Sequence, residues 1–305
     1  VRLIFAGTPD AAVPTLRALH AAGHDIRMVV TRPDAPIGRR RVMTPSPVAR
    51  AADELGLPVL KAARLGDEAT EELVALGAEL AVVVAYGGLV REPLLSAPDH
   101  GWINLHFSLL PRWRGAAPVQ RALIAGDRET GAAVFRLVPE LDAGDVYAQL
   151  RHEIAADATA ADLLAELAES GAQLVTDVVE GIADGTAAAT AQHGEQTHAA
   201  KLALDDGRVR WDQTAAHVLD RHRGVTPEPG SHTTVAGERL KIHEAAPAAD
   251  APELAPGELA AGKDGVFAGT GDGAVLLTRV QPAGKGAMNA ADWFRGQRGD
   301  VRLGS

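Results

Sequence analysis

Three short runs most constrain the fold: RLIFAG at 2–7, IRMVVT at 26–31 and LAVVVA at 80–85. The last is apolar at every position. A strand with no polar alternation must be covered on both faces, as the strands of parallel sheets are. A Gly-containing turn follows the first run, and a helical stretch near 10–22, with Asp10 as N-cap and Gly23 as stop, leads to the second. Strand, turn, helix and strand in that order make a parallel β-α-β unit. The turn lacks G-x-G-x-x-G, so it carries no dinucleotide signature. The expected class is α/β, with an N-terminal Rossmann-like parallel-sheet domain.

A length of 305 residues suggests two domains. The absence of Cys excludes disulfides, thiolate metal sites and a Cys nucleophile. No basic-then-apolar leader and no long uncharged apolar run is found, so the expectation is a soluble cytoplasmic protein that is not membrane-bound. A monomer is expected, although no residue pattern reads out the oligomeric state. The net charge of −10 argues against a generic nucleic-acid binder. The acid excess is uneven, however. Residues 1–198 carry 17 Lys+Arg against 26 Asp+Glu, whereas residues 199–305 carry 13 against 14, leaving room there for a local basic face. His193 and His198, like His217 and His222, do not have i,i+4 spacing, and there is no H-E-x-x-H, so no metal site is expected.

Chemistry concentrates at 104–118, NLHFSLLPRWRGAAP. Trp102-Ile103 lead into a strand over 101–106 whose end carries Asn104 and His106 on one face. Asn fits a strand poorly, and strand ends in an open α/β sheet face the ligand crevice. An amide and an imidazole there can donate hydrogen bonds to an oxygen that gains charge. On spacing alone the ordinary reading, a polar strand end followed by a solvated basic loop, is the favoured one. Arg112 and Arg114 can face a substrate or structure the loop. A second loop, PELDAGD at 139–145, places Asp142 and Asp145 around a Gly; Asx-turn chemistry is the ordinary reading of either.

Elsewhere, Ser46-Pro47 is a helix start, Ser as N-cap and Pro at the first position. Residues 32–45, with three Pro and a Gly, read as an irregular loop carrying Arg32 and Arg39-Arg40-Arg41. Helices are expected over 67–76, 117–125 and 158–183, and strands over 57–60, 132–138 and 146–151. Residues 184–205 show little periodicity and read as a linker. Beyond Val209 a smaller β-rich domain is expected, with a helix near 213–223, strands over 232–242 and 273–280, and an Ala/Pro-rich surface insertion at 246–257.

N-x-H followed by SLLPRWRGAAP resembles the signature of the folate-dependent formyltransferases. With FAGTPD at 5–10, PSPV at 45–48 and QPAGKGAM at 281–288, it resembles the branch of that family acting on methionyl-tRNA. The similarity runs from about Leu3 to about Arg298. It implies domain bounds of 1–190 for catalysis, 191–205 for a linker and 206–305 for an OB-like β-barrel that binds tRNA. It implies Asn104, His106 and Asp142 as catalytic groups, with Asp145 structural. Tyr86, Ser108, Leu109, Leu110 and Pro111 would contact the folate, and Arg39, Arg40 and Arg41 would grip the acceptor end of the tRNA. The co-substrate would be 10-formyltetrahydrofolate, the acceptor initiator methionyl-tRNA, and no metal would be needed. Three departures stand out. Arg39, Arg40 and Arg41 are consecutive, where relatives often have Arg and Lys spaced by Gly. Relatives usually have Gly where Phe107 stands, and an aromatic between prolines near 225–230, where this chain reads VTPEPG. A formyltransferase acting on a sugar nucleotide or purine precursor would share the same three catalytic residues; a silent RNA- or folate-binding module would have no need of them.

Overall fold

The computed structural model describes residues 1–38, 41–298 and 300–304. The chain runs β1 (Arg2–Gly7), α1 (Val13–Ala21), β2 (Asp25–Thr31), β3 (Ala35–Ile37), β4 (Val42–Thr44), α2 (Pro47–Glu54), β5 (Val59–Lys61), α3 (Asp67–Ala75), β6 (Leu80–Val84), β7 (Trp102–His106) and β8 (Arg114–Gly115). It continues through α4 (Pro118–Ile124), β9 (Glu129–Arg136), β10 (Val146–Glu153), α5 (Ala160–Ala183) and β11 (His198–Ala199). Two compact units result, neither continuous in sequence. The first comprises 1–118, 129–153 and 164–198, the second 119–128, 154–163 and 199–305.

The first unit is built on a seven-stranded sheet of order β10-β9-β7-β6-β1-β2-β5. Strands β5, β2, β1, β6 and β7 are mutually parallel, and β9 and β10 add antiparallel at one edge. The apolar run behaves as its composition demands, with every residue of β6 buried. Trp102 is fully buried at the start of β7, and its indole N–H donates to Leu94 O at 2.9 Å, so no polar atom is stranded. Helix α5 lies close on β7: a Cβ at Gly171 would come 2.9 Å from Leu105. Ser46 caps α2 by accepting from Ala49 N–H at 3.0 Å, worth about 1 kcal/mol. The face of Val48, Ala49, Ala51 and Ala52 is buried behind it.

Three local expectations are corrected. Residues 32–45 are not irregular: β3 and β4 pair antiparallel, Ala35 with Thr44 and Ile37 with Val42. Pro36 is tolerated because a two-stranded ribbon has a free outer edge where its missing N–H is not needed. The first helix is not capped by Asp10. A 3-10 turn spans Asp10–Ala12 without a side-chain cap, and α1 starts at Val13 with Pro14 in its first turn. The span 232–242 is not one strand, because Ala236 and Gly237 both take positive φ, 49° and 79°, and turn the chain into a hairpin.

The second unit adds α6 (Ala215–Gly224), β12 (Ser231–Val235), β13 (Glu238–Pro247), β14 (Leu259–Ala261), β15 (Val266–Gly269), β16 (Ala274–Pro282), β17 (Met288–Asn289) and α7 (Ala290–Arg295). Its sheet runs β12-β13-β16-β15-β14, all antiparallel, with β17 on β16. Arg302 bridges Glu258 and Leu303 bridges Val235, so the C-terminal residues link the β14 side to β12 in the barrel-like manner expected. Val209, Trp211, Leu240, Val275, Leu277 and Trp293 fill its core.

Candidate active site

Strand β7 delivers Asn104 and His106 to its carboxyl end, where the chain leaves the sheet. The His106 ring stands edge-on to Phe135 of the neighbouring β9, centroids 6.3 Å apart. The imidazole is buried, and its Nε2 lies 2.8 Å from Trp113 O. A carbonyl oxygen only accepts, so Nε2 carries the proton and the neutral ring presents Nδ1 as an acceptor. Nδ1 faces the Asp142 carboxylate, 3.8 Å from Oδ2, beyond hydrogen-bond reach. Burial pushes the imidazole below its ordinary value of 6.5, against the upward pull of Asp142 and of the Trp113 carbonyl. The resting ring is therefore neutral. Nδ1 becomes a donor only after taking a proton, which refines the expectation of a simple oxygen-stabilising donor.

Asp142 is held by backbone: Gly115 N–H donates to its Oδ2 at 2.7 Å. Its φ is 47°, and that of Trp113 is 59°, so both residues that flank His106 sit in the left-handed region. Such conformations cost of order 1–3 kcal/mol and persist only where the surroundings enforce them. Gly144 is required two residues on, because a Cβ there would lie 1.8 Å from Arg136 O. Asp145 is exposed. The amide oxygen of Asn104 is buried and has no hydrogen-bond partner. Leaving such an atom unpaired costs free energy that a bound donor would restore. Turning the amide by 180° presents Nδ2 in the same place.

The other expected site residues fall in two groups. Ser108, Leu110 and Pro111 lie directly beyond β7, all buried. The Ser108 hydroxyl donates to Arg112 O at 2.7 Å, and Gln149 donates to Leu110 O at 3.0 Å. Leu109 is half-buried, and Phe107 packs inside with 6% exposure. Tyr86 is buried in the core cluster of the sheet, and its hydroxyl is spent on Ala62 O at 2.8 Å. Its backbone carbonyl accepts from Thr8 Oγ1 at 2.9 Å, and Gly87 O accepts from Arg32 at 3.2 Å. The turn 86–88 is thus presented as backbone. On the β3–β4 ribbon Arg41 is exposed, while Arg39 and Arg40 lie outside the described residues.

Sequence reasoning missed a third set. Gln192, read as linker, donates both amide hydrogens, to Asp142 O at 2.9 Å and Gly144 O at 2.8 Å. Its oxygen accepts from Arg114 Nε at 3.1 Å and Nη2 at 2.6 Å. Thr197 Oγ1 accepts from Trp113 N–H at 2.9 Å. These partners lie 50 and 84 residues from Asp142 and Trp113, and the only local signal was a polar run without periodicity. Arg114 proves to be a loop-structuring arginine: Gln196 Oε1 also accepts from it, at 2.8 Å.

A mainly parallel sheet whose strand end brings His106 to face Asp142, with the Asn104 amide on the same strand, is suited to an acyl-transferring enzyme. The chain belongs to the formyl transferase family: the family's "Formyl transferase" model matches residues 1–179, and its "Formyl transferase, C-terminal domain" model matches residues 201–298. A curated methionyl-tRNA formyltransferase of Leifsonia xyli subsp. xyli is 58% identical over 99% of this chain and 100% of its own length. One of Arthrobacter sp. is 51% identical over 97% of each chain. Among solved structures, an N-formyltransferase of Helicobacter canadensis with folinic acid and dTDP-3-aminofucose covers 92% of this chain and 99% of its own, with TM-score 0.72 and 16% identity. HypX of Aquifex aeolicus with tetrahydrofolic acid covers 99% of this chain and 50% of its own, with TM-score 0.65 and 18% identity. At those identities the two structures speak for the fold alone. No helix among the described residues is long and apolar enough to cross a membrane.

Proposed function

We propose that the chain moves the formyl group of 10-formyltetrahydrofolate onto the α-amino group of methionyl initiator tRNA. The observation that carries the reaction class is the pair of facing acceptors, His106 Nδ1 and Asp142 Oδ2, beside the unpaired amide of Asn104. Two acceptors 3.8 Å apart can be bridged from one side by a nitrogen that gives an N–H to each, and an attacking amine is one. The choice of acceptor is supported by the full-length likeness to methionyl-tRNA formyltransferases at 50–58% identity.

The folate supplies the formyl carbon, bonded to N10. As the amine nitrogen bonds to that carbon, the carbonyl oxygen gains charge, and Asn104 Nδ2 donates to it. His106 Nδ1 takes the proton that the amine must lose. The resulting imidazolium sits against the Asp142 carboxylate, which balances its charge, and Nδ1–H is then a donor able to return the proton to N10 as the C–N10 bond breaks. Tyr86, Ser108, Leu109, Leu110 and Pro111 border the folate in this reading. Arg39, Arg40 and Arg41 and the domain from about 206 onward take the tRNA.

The test is formyl transfer from 10-formyltetrahydrofolate to methionyl initiator tRNA, with methionyl elongator tRNA and free methionine as controls. Transfer to the initiator alone is expected. A folded protein that binds folate but formylates only an amino-sugar nucleotide would overturn the acceptor and keep the chemistry.

A further inference from the structure

Residues 190–198 lie along the site and touch the supports of both members of the His–Asp pair. Gln192 uses all its capacity there. Its two amide hydrogens go to Asp142 O and Gly144 O, and its oxygen takes two bonds from Arg114. A side-chain amide with both hydrogens donated and its oxygen doubly accepted has one orientation. It closes the turn that carries Asp142 at positive φ. Thr197 works on the other partner. Its hydroxyl oxygen accepts from Trp113 N–H at 2.9 Å, and its carbonyl accepts from Arg114 N–H at 2.9 Å. The Thr197 hydroxyl thus holds the peptide before Trp113 and the Thr197 carbonyl the one after it, and it is this second peptide whose carbonyl, Trp113 O, meets His106 Nε2. Trp113 is a bulky residue at φ 59°, a conformation that needs enforcement from outside. Thr190 adds a backbone pair to Val146, at 2.8 and 2.9 Å, anchoring the segment to the sheet.

We propose that this segment is a positioning strap for the reaction, with Gln192 setting the Asp142 loop and Thr197, through Trp113, setting the tautomer and orientation of His106. Neither residue touches the reacting atoms; each acts through a backbone group that holds one that does. The inference rests on the assignment of His106 and Asp142 given above. Losing an outer hydrogen bond of this kind costs about tenfold to a hundredfold in activity, because small displacements of a reacting group are amplified in the rate.

The experiment compares Gln192→Met, Thr197→Val and Thr197→Ser with the unaltered full chain. Gln192→Met and Thr197→Val keep size and lose the hydrogen bonds; Thr197→Ser keeps the hydroxyl. Initial rates with methionyl initiator tRNA and 10-formyltetrahydrofolate give kcat and both KM values. The ring nitrogens of His106 are titrated by NMR without substrates. The expected result is a drop in kcat of about ten- to a hundredfold for Gln192→Met and Thr197→Val, with KM values within about twofold. Thr197→Ser should stay close to the unaltered chain, and the His106 titration should shift in Thr197→Val alone among the threonine variants. Unchanged kcat in Gln192→Met and Thr197→Val overturns the proposal. So does a loss that follows the folded fraction and is not recovered by Thr197→Ser. If the unaltered chain does not formylate tRNA, the proposed acceptor fails, and the His106 titration still decides the strap.

Discussion

His106 Nδ1 and Asp142 Oδ2 face each other at 3.8 Å as two acceptors with no proton between them. Each has its other polar contact committed to backbone, Nε2 to Trp113 O and Oδ2 to Gly115 N–H. The pair is set to receive a donor. In the proposed mechanism His106→Ala removes the group that takes the amine proton, and kcat should fall by roughly 100- to 10,000-fold. Folding should survive, since the loss is one side chain beside Phe135. Single-turnover formylation with a thermal melt as control checks both; near-normal turnover in a folded variant would remove His106 from the mechanism.

The pH dependence follows from the same contact. Burial lowers the imidazole from its ordinary 6.5, and Asp142 pulls it back up. In the proposed mechanism the neutral ring is the active form, so kcat should rise with pH through a value below 6.5 and then level off. In Asp142→Asn the upward pull is gone, so the acid limb should move to lower pH while the plateau falls, because the imidazolium has lost its counter-charge. A kcat–pH profile of both proteins reads this directly. A limb that moves upward in Asp142→Asn would mean that the titrating group is not His106.

A second buried histidine gives a stability prediction. His222 is pushed down to about 4, by burial first and then by Arg223 and His243, with Glu244 opposing. Its Nδ1 pairs with Ser231 Oγ at 2.9 Å. The folded value lies below the unfolded one, so between pH 6.5 and about 4 the unfolded chain binds the extra proton and stability falls as pH falls. The slope should approach 1.4 kcal/mol per pH unit, about 3 kcal/mol across the window. Above 6.5 this contribution is complete. Urea melts of the full chain and of His222→Gln, taken across that range, should show the dependence flattened in the variant.

Gly144 offers a steric test. Its hypothetical Cβ would meet Arg136 O at 1.8 Å, and that atom belongs to the backbone of β9, which cannot yield cheaply. Gly144→Ala must move the 142–145 turn and with it the bonds from Gln192. A loss of at least about 2 kcal/mol in stability and a fall in kcat larger than in KM are expected. Chemical denaturation and steady-state kinetics measure the two. An Ala variant as stable and active as the parent would show that the turn is free to shift.

Much of this was legible in the chain, for definite reasons. The wholly apolar β6 can only be a doubly covered parallel strand, and Ser46-Pro47 can hardly be anything but a helix start. Asn104 and His106 stand out because polar side chains two apart at a strand end share a face. The ribbon at 35–44 was hidden by its Pro residues, which a free edge forgives. The hairpin at 236–237 was hidden because Ala, an unusual left-handed residue, sits beside the Gly. Gln192 and Thr197 could not be read at all, because their roles come from contacts 50 and 84 residues away.

The ribbon also exposes apolar side chains: Ile37 at 59%, Val42 at 59% and Met43 at 61%. If the ribbon takes the tRNA as proposed, Arg41 there would supply charge for phosphates and these apolar groups could lie against a base at a duplex end. The two contributions separate experimentally. Arg41→Ala should weaken use of the tRNA and reduce the salt dependence of its KM by about one counter-ion. Arg39→Ala, at a position outside the described residues, should behave likewise. Replacing Ile37 and Met43 together by Ser should raise the tRNA KM with no change in salt slope, since no charge is lost. Folate binding, followed by fluorescence quenching, should be unaltered in all three, because the ribbon is a separate two-stranded element from the sheet that carries Asn104 and His106. If folate affinity falls in step with tRNA affinity, the ribbon is a support for the active site and not a grip on the RNA.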